Sequence, residues 1–184
     1  RLAALGHRRI AFVNGGRLYN YAGLRAQGYR AGLAAAGLAP APELVCGEAL
    51  TPEQGAQATR ALLSLPRPPT AIVFAVDMAA LGAWQVAEEL GLGIGRELSV
   101  IAYDGVPEGA LARPPLTSFD VDMRRAGERL AHLLIRQIRG EEPETLRETE
   151  RARLREGGSD APPALTSEEL AQRLRAMRAR DNVT

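Results

Sequence analysis

Three apolar runs of this 184-residue chain stop on a side chain able to form directed hydrogen bonds: IAFVN on Asn14, TAIVFAVD on Asp77 and LSVIAYD on Asp104. An aspartate accepts from hydroxyls, and an asparagine both donates and accepts. Arg25 lies early in the apolar-periodic segment that follows the first run, where a cation gains nothing from the helix dipole. Its planar, five-donor guanidinium suits a carboxylate or a set of sugar oxygens. Tyr19 and Tyr21 stand in the loop GGRLYNYAG. Their rings could stack on a sugar or a base, or simply pin the loop. Together these groups describe the lining of a site for a small polar ligand.

Each has a plainer reading. Asp77 directly precedes MAALGAW and fits an N-cap, where Asp is strongly preferred. Asp104 runs into GVPEGALARPP, which does not open as an obvious helix, so an Asx-turn is its structural alternative. Arg25 could be a solvated surface arginine. Trp84, one turn beyond Leu81, fits a core or an interface better than a ligand platform.

Turnover finds little support. The chain has no G-x-S-x-G elbow, P-loop or G-x-G-x-x-G, and no lysine for Schiff-base chemistry, since all 23 basic residues are arginine. His7 and His132 have no partner at metal spacing and are expected to be structural or exposed. The single cysteine, Cys46, excludes an intramolecular disulfide and sits in ELVCG as an expected buried thiol. No cofactor or metal is expected, and the chain reads as a binding module rather than an enzyme.

Composition agrees with a core-forming domain: 46% apolar and 24% charged residues, with only 4% aromatic, so the core must rest on Ala, Leu, Val and Ile. A formal net charge of +1 gives no field that would draw nucleic acid or an acidic membrane to this segment. No apolar stretch is long enough to span a bilayer. The opening RLAALGH reads as a last helical turn closed by Gly6, so the chain is expected to begin inside a fold.

The elements that must position these groups alternate. Ile10 to Gly16 reads as a buried strand, LRAQGYRAGLAAAGL as a helix with Leu24, Tyr29, Leu33 and Ala36 near helical spacing, and PELVCG as a second strand. Thr51 as N-cap and Pro52 at the first position open the next helix. TAIVFAVD, the helix MAALGAWQVAEELG and LSVIAYD follow. Apolar strands alternating with helices predict an α/β fold, a doubly wound parallel sheet covered on both faces, with ligands at the carboxyl ends of the strands. PPLTSFDV then reads as strand-like, and residues 122–139 as an amphipathic helix with Met123, Leu130, Leu133, Leu134 and Ile138 on one stripe. ETERARLREGG alternates weakly, as an edge strand does. The tail, 161–184, predicts one short helix that docks on its own domain or, alternatively, joins copies.

Five of these stretches, LGHRRIAFVNG, RAQGYRAGLAAAGL, PTAIVFAVDMAALGAW, ELSVIAYDG and PPLTSF, occur in the order and spacing of the lactose-repressor-like (LacI/GalR) transcription regulators, which the chain resembles over about residues 2–138. The resemblance implies a two-lobed effector domain of the periplasmic-binding-protein type. Residues 1–118 would form most of the C-terminal lobe, 119–145 would cross to the other lobe, 146–160 would return as a strand and 161–184 would be the tail. It further implies an N-terminal head absent from this chain that binds operator DNA, a homodimer, and cytoplasmic location. Arg25 and Asp104 fall on effector-facing positions, Tyr19 and Tyr21 on the loop lining the same cleft, and Asp77 opens the helix beside it. Leu81, with Trp84 beyond it, falls on the helix that packs across the dimer. Val76, Leu50 and Ala102 depart from the family pattern: Leu50 implies less stacking and Val76 one fewer amide around the effector, while Ala102 for the usual glycine is a variation in packing. The expectation is thus the effector-sensing part of a regulator that binds a sugar or polyol. The alternatives are the solute-binding protein of a sugar transporter and an α/β enzyme.

Overall fold

The computed structural model describes residues 1–16 and 18–181. Its centre is a six-stranded sheet in the order β2-β1-β3-β4-β5-β6. The strands are β1 (Ile10–Val13), β2 (Val45–Cys46), β3 (Ala71–Phe74), β4 (Ser99–Asp104), β5 (Thr117–Asp120) and β6 (Arg153–Arg155). The first five pair in parallel, and β6 closes the edge antiparallel, with Leu154 opposite Phe119. Six helices accompany them: α1 (Asn20–Ala35), α2 (Pro52–Leu63), α3 (Asp77–Glu89), α4 (Pro107–Leu111), α5 (Met123–Ile138) and α6 (Ser167–Asp181).

Alternation along the strands explains the unbroken apolar runs. In β1, Ala11 and Val13 enter the large core beneath α2 and α3, while Ile10 enters the smaller one beneath α1; Val100 and Ala102 of β4 divide from Ile101 in the same way. Each fully buried Leu, Ile or Phe contributes about 1.5–3 kcal/mol. The two faces are unequally covered. Between α1 and β5 the sheet is bare, leaving an apolar trough of about 470 Å³ lined by Leu2, Phe12, Leu33, Ile101 and Phe119 among others.

α2 and α3 touch backbone to backbone. A methyl group at Gly55 would lie 1.8 Å from the Ala79 carbonyl oxygen, and one at Gly82 would lie 2.0 Å from that of Pro52. α2 begins as expected, with Thr51 and Gln54 forming a reciprocal capping box. The opening residues also hold the expected turn: His7 N–H bonds Leu2 O (3.1 Å) and Gly6 N–H bonds Ala3 O (3.1 Å), with Gly6 at φ +107°, the Schellman pattern.

Several expectations need correction. β2 shrinks to two residues because Pro42–Leu44 coils into a 3-10 turn. α1 starts at Asn20, which turns Leu24 outward to 68% exposure. Pro107 sits in the first turn of the five-residue α4, where its missing N–H costs nothing, so the loop after Asp104 does hold a helix. Cys46 is only half-buried, although that burial pushes its thiol pKa up.

α5 spans the expected segment, capped by the Asp122 carboxylate on Arg125 N–H at 2.9 Å, yet it buries no residue. Met123 and Ile138 are 74% and 76% exposed. α6 docks on its own domain through Leu170 and Leu174. Arg173 bonds Glu97 at 3.0 Å, and Arg67 bonds Glu168 at 2.8 Å. Residues 182–184 of the tail lie outside the described residues.

The tail is fixed by a buried polar knot. His7 Nδ1 meets Thr70 Oγ1 at 2.8 Å, and Nε2 meets Ser99 Oγ (3.1 Å) and Ala161 O (2.9 Å). Asp160 accepts from Thr117 Oγ1 at 2.6 Å and from Arg1. His7 is thus structural, and burial lowers its pKa; His132 is exposed.

Candidate functional site

The strand order reverses between β1 and β3, and at such a point the loops diverge to leave a crevice at the carboxyl ends of the strands. α1 carries Tyr21, Arg25 and Tyr29 four residues apart, one stripe of a helix. Tyr29 anchors that stripe by donating to Ile10 O at 2.8 Å. Arg25 is thereby laid across the ends of β3 and β4.

Its guanidinium donates to the Ala75 carbonyl and, at 3.2 Å, to Asp104 Oδ1. Two rings pack against it, Tyr21 at 4.4 Å and Tyr103 at 4.1 Å from ring centre to guanidinium carbon. Tyr19 stacks on Tyr21 with centroids 5.4 Å apart, and Tyr103 on Phe119 at 6.1 Å. A continuous row thus runs from Tyr19, itself 52% exposed, to Phe119 on β5. Desolvation pushes the Tyr21 hydroxyl pKa up.

Asp104 ends β4 at φ +133°, and Gly105 follows at +78°. Burial raises the Asp104 pKa and the nearby Asp77 charge adds to that, while Arg25 pulls it down. The result is a fixed cation beside a half-exposed carboxylate whose charge is incompletely compensated. Such a pair can donate to and accept from the hydroxyls of one small ligand.

Asp77 is placed differently from expectation. The N-cap of α3 is Val76, and the Asp77 carboxylate bonds none of the helix's own N–H groups. It is fully buried. Oδ2 accepts from Gly105 N–H (2.8 Å) and Val106 N–H (2.9 Å), and Oδ1 from Ser118 Oγ (2.6 Å). The two N–H groups left free by the left-handed turn outcompete α3 for that carboxylate. Asp77 therefore stands behind the crevice wall. Asn14 is also engaged, accepting from Gly15 N–H at 2.9 Å and donating to Ala22 O at 3.1 Å. Leu81 is half-exposed on α3, while Trp84 packs against the core and donates to Arg113 O at 3.1 Å.

Tyr103, Ser118 and Gly105 were not foreseen from the sequence. The alternation of β4 is a usable signal for Tyr103, because it puts Tyr103 two residues after Ile101 on the face toward α1. Ser118 offers none, since its partner lies 41 residues away. Among the described residues, no group of three or more metal-ligating side chains could hold an ion.

A model of the periplasmic binding protein-like domain matches residues 1–159. The chain is 37% identical over 150 residues to the HTH-type transcriptional regulator AglR of Rhizobium meliloti (strain 1021), covering 78% of this chain and 42% of that protein. It is 33% identical over 136 residues to the HTH-type transcriptional repressor CytR of Escherichia coli (strain K12), covering 74% and 40%. The chain thus spans only about two-fifths of the length of these curated relatives. Among solved structures it is similar to a regulatory protein of the LacI family from Chloroflexus aggregans, with TM-score 0.79 and 32% identity, over 87% of this chain and 58% of that one. A sugar-binding LacI-family regulator from Escherichia coli complexed with phosphate gives TM-score 0.79 and 27% identity, over 88% and 58%.

Proposed function

The chain belongs to the periplasmic binding protein-like domain family, in its LacI/GalR branch, and from that premise we propose that it is the effector-sensing part of a cytoplasmic transcription regulator. Its ligand is a small sugar or polyol, bound without turnover. Arg25 donates to ligand oxygens, Asp104 accepts from hydroxyls, and Tyr19 and Tyr21 border them. Asp77 supports this wall from behind. The observation that carries the reading is the Arg25–Asp104 pair, preorganised by two tyrosine rings at the carboxyl ends of β3 and β4, beside the switch point of the sheet.

In this proposal α5 and the strand return, with 119–145 crossing and 146–160 coming back, connect the lobe to a second one across the cleft. Five large apolar residues of α5, Met123, Leu130, Leu134, Ile135 and Ile138, are exposed in support of that division. Ligand binding favours one arrangement of the lobes and shifts its population. A homodimer seated on Leu81 of α3, with Trp84 supporting it from the core, relays the shift to operator-binding heads. No described helix is long and apolar enough to cross a membrane.

The test is a nuclear magnetic resonance titration of the 15N-labelled chain with monosaccharides and polyols at millimolar concentration. The expected result is one compound that shifts the Arg25, Tyr103 and Asp104 resonances, with the shifts lost in Arg25→Ala and Asp104→Ala. A compound that binds both variants as well as the wild type overturns the site. A panel in which nothing binds overturns the sugar reading.

A further inference from the structure

We propose that Asp77 is a strut that sets the position of Asp104 and ties it to helix α3, a positioning residue that touches no ligand; its purpose rests on the effector reading above. The geometry is a three-way junction. The Asp77 carboxylate leaves the first residue of α3, crosses to the end of β4 and takes the N–H groups of Gly105 and Val106 on one oxygen. Its other oxygen takes the hydroxyl of Ser118 on β5. The same Ser118 oxygen accepts from Gly105 N–H at 3.3 Å, so α3, the 104–106 turn and β5 meet at one buried point.

The junction offsets a cost. Asp104 at φ +133° occupies a region that side-chain-bearing residues avoid, and such a conformation persists only where its surroundings over-determine it. Two adjacent N–H groups bonded to one buried carboxylate supply that determination, because charge-assisted hydrogen bonds are the stronger kind. Gly105 cannot carry a side chain there, since a methyl group would lie 2.4 Å from Asp120 Oδ1. The turn thus has little freedom to relax, and its conformation aims the Asp104 carboxylate at Arg25.

A capping role does not account for the residue, because no α3 N–H is bonded to it and burial is complete. Nor does ligand contact, since its three hydrogen bonds face inward. What remains is mechanical: a ligand that draws on Asp104 draws on α3 through Asp77. α3 is the helix that carries Leu81, one turn beyond Asp77, so the site and that stretch of the helix share one rigid link.

The experiment needs no ligand. Exchange of the Arg25 guanidinium protons with water is measured by nuclear magnetic resonance in the wild type, in Asp77→Asn and in Ser118→Ala, none of which alters Arg25 or Asp104. Leu174→Ala serves as the control for general loosening, as it lies in α6. A released Asp104 raises the exchange roughly ten-fold in Asp77→Asn, the worth of about one hydrogen bond to a charged group. Ser118→Ala gives a smaller rise, and the control none. Unchanged exchange in the folded variants overturns the strut, as does an equal rise in the control. If Asp77→Asn does not fold, Ser118→Ala decides alone. A blank sugar panel overturns the sugar reading and leaves this result standing.

Discussion

The guanidinium of Arg25 lies 4.1 Å from the ring centre of Tyr103, a residue of a different element whose neighbour, Asp104, binds the same guanidinium edge-on. Face and edge are therefore both held by consecutive residues of β4. Contacts of this kind contribute about 0.5–2 kcal/mol as desolvation increases. Tyr103→Leu and Tyr21→Leu are each expected to lower stability by about 1 kcal/mol in urea unfolding. The double variant should lose less than the sum, because both rings hold one cation.

Asp104 illustrates a site maintained against stability. Its pair with Arg25 is partly exposed and worth little, while its backbone conformation and buried charge both oppose folding. Asp104→Gly is expected to stabilise the ligand-free chain by roughly 1 kcal/mol at neutral pH while abolishing ligand shifts. A carboxyl whose folded pKa is raised contributes stability only in its protonated form, which is lost as pH rises through that folded value. The gain of the variant should therefore shrink on acidification, and urea titrations at several pH values check it.

His7 titrates with the opposite sign. Its folded pKa lies below the ordinary 6.5, so its contribution is present above about pH 6.5 and is lost as pH falls through the folded value. Stability should decline by up to about 1.4 kcal/mol per pH unit in that window. His7→Asn, unable to gain the proton, should flatten the profile.

The contact of α2 with α3 leaves no room for a methyl group at either glycine, and the obstructing atoms are backbone. Gly55→Ala and Gly82→Ala are each expected to cost about 2–3 kcal/mol, although alanine is the better helix former by about 1. Urea midpoints measure this directly. A neutral result would show that the two helices can separate freely.

Leu174 is buried in a segment beyond the family match. Leu174→Ala should cost about 2–4 kcal/mol and leave the sedimentation coefficient unchanged. A fall in oligomer size without loss of stability would instead make α6 an assembly helix.

Much of the architecture was legible because it is written in local patterns: apolar runs for β1, β3 and β4, a capping box at Thr51, a glycine stop at Gly6. Arg25 and Asp104 were candidates from a helix start and a strand end, with a plainer alternative beside each, and the structure brings the two together. What stayed hidden depends on long-range pairing. Nothing near Asp77 announces that a left-handed turn at Asp104 and Gly105 will present the N–H groups of Gly105 and Val106, 28 and 29 positions on, to it. The helix after Asp104 was missed because its proline reads as a breaker when it is in fact at the one helical position that suits it. Burial of the His7 knot likewise needs Ala161, 154 residues away.

The placement of aromatics makes the chain its own optical probe. Three of the four tyrosines, Tyr19, Tyr21 and Tyr103, stand in the row around Arg25, and the fourth, Tyr29, is stacked on Phe12 beneath it. The only tryptophan, Trp84, is on α3, whose first residue is Asp77. Tyrosine ultraviolet difference spectra consequently report on the crevice and tryptophan emission on the helix behind it, two separate colours for the two ends of one mechanical link, with no label added.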